Sequence, residues 1–484
     1  MNKRIGIFIF HNDLRLRDNI GLIQLMSSCD LVVPVFIFTP EQIGSSNKYR
    51  SIPAIMFMVS QLDILDAELK SHGSKLHMYF GNTTAIVSKL ITATGASIVA
   101  NNANYTPFAL ERDRDVESIC NKHGCEYILT EDYGMYPINK FVAGTGGVYK
   151  KFTPYYNTAS KVKPELPLIN KHSNYFSGTI KNVIGAVNIP MIKRKLNINK
   201  TIDVKNANTV LKSISNFKSY NKDRSCLAIP TTHMSVYIKF GAVSMREVYW
   251  TAKDTLGKGA SDLIKQLYWR EFYMNVAWAY PHVYGRNFNL NFHANWKTAI
   301  TSPTDKAQLT AWCLGKTGFP VVDACMRELN NTGYMHNRGR LIVAAFLTKV
   351  LGWHWRFGER YFATKLFDYD PAQNNGNWQF VAGSGVDQQP YFRMFNPWLQ
   401  GAKLDPNCIY IKKWCPEYKD FPNAVLHDQK KLTNFITSNG IKNVILPIIS
   451  YETARDKTRK RYSRKKTGVK AKAKVRSKRK NTKR

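Results

Sequence analysis

The sequence predicts two structural classes in one chain: an α/β domain built on a parallel sheet, then an all-helical domain. Three observations predict this. Short β-branched and aromatic runs alternate with helical patterns through the first 135 residues or so. The alternation dissolves between Tyr136 and Lys200, and from Thr201 onward helical periodicity dominates. The expected divisions are 1–135 for the α/β domain, 136–200 for an interdomain linker, 201–452 for the helical domain and 453–484 for a basic, disordered tail.

In the first division, Ile5–Phe10 and Leu31–Phe38 read as buried strands. Pro53–Lys70 has helical spacing, and Leu76–Phe80 and Ser97–Ala100 read as further strands with a polar helix, Thr83–Thr94, between them. Strands that alternate with helices run parallel, because each crossover helix returns the chain to the same end of the sheet. No GxGxxG follows the first strand, so the usual dinucleotide fingerprint is missing. The linker holds Gly144–Gly147, Pro164 and Pro167 among mixed Asn and Lys; a connection of that length is expected to wrap a surface or serve function. Beyond it, Ala242–Ala252, Ser261–Ala279, Lys306–Leu314, Val321–Asn330 and Asn337–Leu351 have the spacing of helices. There is no internal repeat.

The chain carries 70 Lys and Arg against 34 Asp and Glu, a net charge of +36 over 484 residues. An excess of that size suggests a polyanionic partner, nucleic acid foremost and an anionic membrane second. From Arg455 to Arg484 there are 17 Lys or Arg and one Asp, so +16 sits at the end and +20 on the body. That terminal segment has almost no large apolar residues and is expected to be disordered. The eight cysteines form no CxxC or Cys/His cluster with metal spacing, which points to reduced thiols, an intracellular protein and no metal. The apolar run at the N-terminus is too short for a signal peptide, and no stretch reaches transmembrane length.

The chemistry concentrates in LFDYDPAQNNGNWQFVAGSGVDQQPYFRMFNP, Leu366–Pro397. It contains Asp368 and Asp370, an Asn-Asn-Gly-Asn turn, Trp378 and Arg393. Upstream lie WHWRFGERYF, with Trp353 and Trp355, and GYMHNRGRL, with Asn337, Arg338 and Arg340. Composition alone allows an aromatic-rich helical core with turns between helices.

Order and spacing go further. FHNDLRLRDN, TTHMSVYIKFGAVSMR, QLYWREFY, GKTGFPVVDACMRELNNTGYMHNR and WRFGERYF, followed by the stretch above, resemble the DNA photolyase and cryptochrome family over about residues 5–420. The likeness is greatest to class I photolyases for cyclobutane pyrimidine dimers. It implies a Rossmann-like α/β antenna-binding domain and an all-α domain holding FAD. It also implies repair of UV-damaged DNA by an electron passed from the excited, reduced flavin to the lesion. The protein is expected to act as a monomer, away from membranes, in the nucleus or another DNA-containing compartment.

The resemblance places Tyr220, Thr231, Thr232, Met234 and Ser235 at the FAD phosphates and ribityl chain. PTTHMS stands where the family usually has GTSRLS, so that contact is altered. The residues alone also allow a helix N-cap at Ser235. Arg340 and Asp368 match a buried pair beside the flavin ring, Asp370 an acid near the ring and ribityl chain, and Arg270 and Asn337 further flavin-side groups. Asn374 falls where the family faces the flavin N5; from the residues alone it is also an ordinary turn Asn. Trp378, Trp355 and Trp296 match the relay of three tryptophans that reduces oxidised flavin in light, although TAITSPTD inserts residues just after Trp296.

For the lesion, Trp269 matches the indole on which the dimer leans, and Arg224, Arg338 and Arg393 match arginines that contact phosphate. Gln266 stands where a Glu usually bonds the pyrimidines, Phe380 replaces a Trp, and Leu341 replaces a Met. Dimer repair with a weaker or retuned grip is expected. A six-four photolyase would carry a His pair where this chain has Asn337 and Leu341. Glu111 and Arg286 match contacts to a methenyltetrahydrofolate antenna, with a deazaflavin the second choice. The alternatives to a dimer photolyase are a signalling cryptochrome and a DASH-type enzyme for single strands. The tail could add salt-dependent DNA affinity, direct nuclear import or help package the protein with DNA.

Overall fold

The computed structural model describes residues 3–199, 202, 204–292, 294–388 and 394–463. Five parallel strands form one sheet in the order β3-β2-β1-β4-β5: Ile5–Phe10 (β1), Leu31–Phe38 (β2), His77–Phe80 (β3), Ile98–Asn102 (β4) and Glu126–Thr130 (β5). The strands read as apolar runs because helices cover both faces of such a sheet. β2 tolerates Pro34 in mid-sheet because its ladder to β3 starts one residue later, at Val35 opposite His77. The sequence pattern missed β5 and the helices Ile20–Ser28 and Pro107–Lys122; the latter carries the charged run ERDRD, which hides its apolar stripe.

The chain divides into two compact units. The first comprises 1–224, 231–284 and 362–376, and the second 225–230, 285–361 and 377–484. The first unit thus takes in the sheet, the whole 136–200 stretch and several later helices. The stretch hugs the sheet domain: Leu168 and Asp18 exchange backbone and carboxylate hydrogen bonds, and Tyr175 bridges to Val32 of β2.

The FHNDLRLRDN motif explains itself within this unit. Asn19 caps the Ile20–Ser28 helix by accepting from Leu22 N–H, and its Oδ1 also accepts from Asn102 Nδ2 at 2.7 Å. Arg15 pairs with Asp132, and Arg246 bridges Asp132 at 2.5 Å and Asp18 at 3.1 Å. All four charges are buried. Removing any one would leave an uncompensated buried charge, a loss of about 3–5 kcal/mol. The motif is therefore a staple that ties the loop after β1 to the start of the Met245–Leu256 helix.

In the second unit, Pro303–Leu314, Pro320–Thr332 and Asn337–Ala345 are helices, and the Trp355–Lys365 helix begins there, with its last four residues assigned to the first unit. The helix expected over Asn337–Leu351 turns into a π-helical segment at Phe346–Val350. A π turn frees backbone carbonyls, and Thr458 Oγ1 donates to that of Lys349 at 2.5 Å. Thr458 belongs to a helix, Tyr451–Ser463, that occupies the first part of the segment expected to be disordered. Tyr451, Ala454 and Thr458 are buried, at helical spacing, while Arg455, Lys457, Arg459 and Lys460 face out. The buried stripe was masked in the sequence by the density of charge. No helix among the described residues is long and apolar enough to cross a membrane.

Candidate active site

The Ser261–Ala279 helix organises the candidate residues of the first unit. Arg270 Nη2 lies 2.8 Å from Asp370 Oδ2 and 2.7 Å from the Tyr133 hydroxyl, which itself donates to Asp370 Oδ2 at 2.6 Å. Burial pushes the Asp370 carboxyl up. Arg270, then Lys239 and Tyr133, outweigh that and hold it at about 2. Asp370 also accepts at Oδ1 from Gln373 N–H, three residues on, and Pro371 follows it. That is how a helix starts, and it starts the Pro371–Ala382 helix.

Asn374 and its Asn-Asn-Gly neighbours are consequently helical, and the expected turn is not formed. Asn374 N–H donates to Asp370 O at 2.8 Å. Gly376 is required by the close approach of Tyr273, whose Cε1 would stand 2.6 Å from any Cβ there.

Ser235 is also not the N-cap. His233 occupies that position at φ +50°, and Ser235 sits in the first turn of Met234–Lys239, where its hydroxyl donates to Asp368 Oδ2 at 2.7 Å. Thr232 Oγ1 accepts from Met234 N–H at 3.4 Å, while Tyr220 opens the short Tyr220–Asp223 helix and Thr231 is half-buried.

One atom of this cluster is left without a partner, as a residue that awaits a ligand would be. Arg270 Nε is buried and has no hydrogen-bond partner among the described residues, although Nη2 of the same guanidinium contacts both Tyr133 and Asp370. A buried N–H of a cation without an acceptor costs free energy unless something fills the place.

The same helix carries the lesion-side candidates. Trp269 is stacked face to face on Phe152, with ring centroids 3.5 Å apart and planes 5° apart, and Tyr273 lies at 5.8 Å and 26°. Gln266, one turn before Arg270, donates to its own helix at Asp262 O, 3.0 Å. Arg224 is 3.6 Å from the Asp262 carboxylate, with both side chains about 30% exposed, so it is already loosely paired.

Within the second unit, Asn337, Arg338 and Arg340 stand at the start of the Asn337–Ala345 helix. His336 caps it through Nδ1, which accepts from Arg338 N–H at 3.1 Å. The Arg338 guanidinium holds Ser225 Oγ at 3.0 and 3.2 Å. Arg340 Nε donates to Met335 O at 2.8 Å and lies over the Tyr334 ring. Arg340 and Asp368 fall in different units. Phe380 is half-buried on the Pro371–Ala382 helix. Arg393 lies outside the described residues. Glu111 and Arg286 are both exposed.

Trp378, Trp355 and Trp296 all lie in the second unit. Trp378 is 3% exposed and packs over the backbone of the Trp355–Lys365 helix at Gly358, where a Cβ would stand 2.5 and 2.6 Å from its Cζ3 and Cζ2. Trp355, fully buried, is one turn away, and its Nε1 donates to Asn287 Oδ1 at 2.8 Å. Trp296 is half-exposed. The segment after it forms a parallel bridge, Lys297 with Trp353, with Lys297 N–H bonded to Gly352 O and His354 N–H bonded to Lys297 O. The residues inserted after Trp296 therefore leave its position defined. Burial decreases from the first two indoles to the third, as a path from interior to surface requires.

Sequence reasoning missed Tyr133, Phe152, Asn287 and His354. Tyr133 and Phe152 stand far from their partners along the chain and nothing local marks them. His354 was visible between two tryptophans in WHW.

The family model for the FAD-binding domain of DNA photolyase matches residues 263–464, and that for DNA photolyase matches residues 7–170. The deoxyribodipyrimidine photo-lyase of Vibrio cholerae is 32% identical over 445 residues, covering 86% of this chain and 91% of that one. The Sulfolobus tokodaii photolyase, solved with two FAD molecules and discussed as implying a novel light-harvesting cofactor, is 36% identical with a TM-score of 0.82, covering 95% of this chain and 100% of that chain. A class III photolyase from Agrobacterium tumefaciens is 28% identical, with a TM-score of 0.85 and coverage of 96% and 98%. With the parallel-sheet unit, the buried Arg270 cluster and three tryptophans in place, these matches show that the chain belongs to the DNA photolyase family and carries its FAD-binding domain.

Proposed function

We propose that the chain splits cyclobutane pyrimidine dimers in DNA under blue light. The observation that carries this reading is the adjacency on one helix of Arg270 and Trp269: a buried cation with an N–H still to be satisfied, beside an indole held flat by Phe152. FAD, when bound, reduced and illuminated, supplies one electron to the dimer and regains it after the cyclobutane bonds break. The chain's residues do the rest. Arg270 and Arg340 are each assigned to supply positive charge to a reduced, anionic ring. Asp370 and Tyr133 fix Arg270 in place. Asp368, held by Ser235, and Asn337 are assigned to the flavin side, with Tyr220, Thr231, Thr232 and Met234 toward its phosphates. Asn374 is assigned to the N5 position, where an amide can donate or accept without exchanging a proton.

Trp269 and Phe380 are assigned as walls for the flipped dimer, Gln266 as the hydrogen-bond partner of the pyrimidines, and Arg224, Arg338 and Arg393 as phosphate contacts. The test uses purified protein, an oligonucleotide carrying a defined dimer, and blue light. Loss of dimers is expected; persistence of dimers with fully reduced flavin rejects the reading, and a signalling role then takes its place. Glu111 and Arg286 are assigned to a folate antenna. The second FAD of the Sulfolobus relative makes a flavin the rival, and the absorption spectrum of the extracted chromophores distinguishes folate, flavin and deazaflavin.

A further inference from the structure

One side chain has its ring against both Trp355 and Trp296, the indoles assigned as second and third of the relay. The His354 ring is 5.6 Å from Trp355, tilted by 31°, and 4.9 Å from Trp296, edge-on at 77°. Its place is fixed from three directions. The backbone bridge to Lys297 holds it from one side, Trp355 begins a helix directly after it, and Nδ1 accepts from Arg356 N–H at 3.2 Å. A ring nitrogen that accepts carries no proton, so the proton sits on Nε2 and the ring is neutral. Burial, with the Arg356 charge second, lowers the His354 pKa to about 4, which agrees with that assignment.

The other tryptophan of WHW is unsuited to the path. Trp353 is fully buried, its Nε1 has no partner among the described residues, and the Lys297 ammonium lies 5.5 Å over its ring. A cation over the ring stabilises the neutral indole and opposes its oxidation. Trp355 has the opposite surroundings: the Asn287 oxygen accepts its N–H, the proton that becomes acidic when an indole loses an electron.

We propose that His354 is the bridge of the relay, a neutral imidazole that closes the gap between Trp355 and Trp296 and keeps positive charge out of it. This rests on the reading of Trp378, Trp355 and Trp296 as the relay. In the step it serves, one electron leaves Trp296 and fills the vacancy on Trp355; no proton moves, and the imidazole begins and ends neutral. The oxidant upstream is light-excited oxidised FAD acting through Trp378. His354 is a positioning residue in this scheme. Nothing is transferred to it.

The test measures blue-light photoreduction of the FAD-loaded protein, with flavin content and melting temperature as controls for folding. His354→Phe keeps a neutral ring in the gap and is expected within about twofold of the parent rate. His354→Ala opens the gap, and His354→Lys puts a cation between two rings that must each carry positive charge in turn; both are expected to lower the yield about tenfold or more, Lys below Ala. Independently of photoreduction, the Cε1–H resonance of His354 should not titrate between about pH 5.5 and 8. If Trp296→Phe blocks photoreduction while His354→Ala and His354→Lys do not, or if the resonance titrates near neutrality, the bridge is wrong. If Trp296→Phe photoreduces at the parent rate, the relay reading itself fails and the bridge with it.

Discussion

Replacing Gly358 by alanine sets two effects of known size against each other. Gly358 lies inside the Trp355–Lys365 helix, where helix propensity favours alanine over glycine by about 1 kcal/mol. Against this, the new Cβ would stand 2.5 Å from Cζ3 and 2.6 Å from Cζ2 of Trp378, and closer still to Cη2. Carbon atoms prefer about 3.5–4.0 Å, so the ring would have to retreat by about 1.5 Å or more. It has little room, because Trp378 is 3% exposed and Trp312 packs edge-on at 6.2 Å. Overpacking of this kind costs about 1–3 kcal/mol and should outweigh the gain in propensity. The expected result is a net loss of up to about 2 kcal/mol, read as a melting temperature lower by about 2–4 °C per kcal/mol. Photoreduction should slow several-fold if Trp378 is the first indole of the relay, as assigned, since it has been displaced. A Gly358→Ala protein that melts higher than the parent and photoreduces normally would show that propensity alone governs the site, and would remove Trp378 from its assigned position.

Four further outcomes are expected. Trp355→Phe should abolish photoreduction while leaving dimer splitting intact when the flavin is reduced chemically beforehand, as measured by absorbance and dimer loss. Phe152→Leu removes the face-to-face partner of Trp269, and dimer binding should weaken by about 0.5–1.5 kcal/mol in a titration with damaged oligonucleotide; unchanged affinity would mean that the stack plays no part in the lesion site. Because the folded pKa of Asp370 is depressed to about 2, its contribution is fully present above the unfolded value of about 3.9 and is lost as pH falls through the folded one. Flavin retention should therefore be flat from neutrality to about pH 4, and Asp370→Asn should lose flavin already at pH 7. Truncation after Ser463 removes 12 Lys and Arg and no acid; if the tail contacts phosphates, the salt dependence of DNA binding should flatten, and an unchanged slope excludes that contact.

The parallel sheet was legible because a strand buried on both faces must be a short apolar run, and Ile5–Phe10 and Leu31–Phe38 came out with the same bounds in sequence and structure. The Ser261–Ala279 helix was legible for a similar reason, since its periodicity is uninterrupted. Elements whose buried stripe is diluted by charge were not: Pro107–Lys122 and Tyr451–Ser463 show it only once the burial of Val116 or Thr458 is known. Asn374 was read as a turn because Asn-Asn-Gly is locally a turn sequence. The cap at Asp370 and the packing of Tyr273 on Gly376 override that preference. In the site, local motifs named Arg270 and Asp370 but not Tyr133, which lies more than a hundred residues away and whose hydroxyl joins the two.

The Phe152–Trp269 stack has a consequence for rebuilding this enzyme. Phe152 comes from the stretch that the sequence marks as a mere connection, and Trp269 from the helix at the centre of the chemistry. A chimera that exchanges the parallel-sheet domain with a relative's and splices at residue 135 keeps the two rings as a matched pair. A splice at residue 200 marries a foreign residue 152 to the native indole. Modular exchange of the parallel-sheet domain should thus succeed or fail on where the seam is cut, with dimer affinity as the property that suffers.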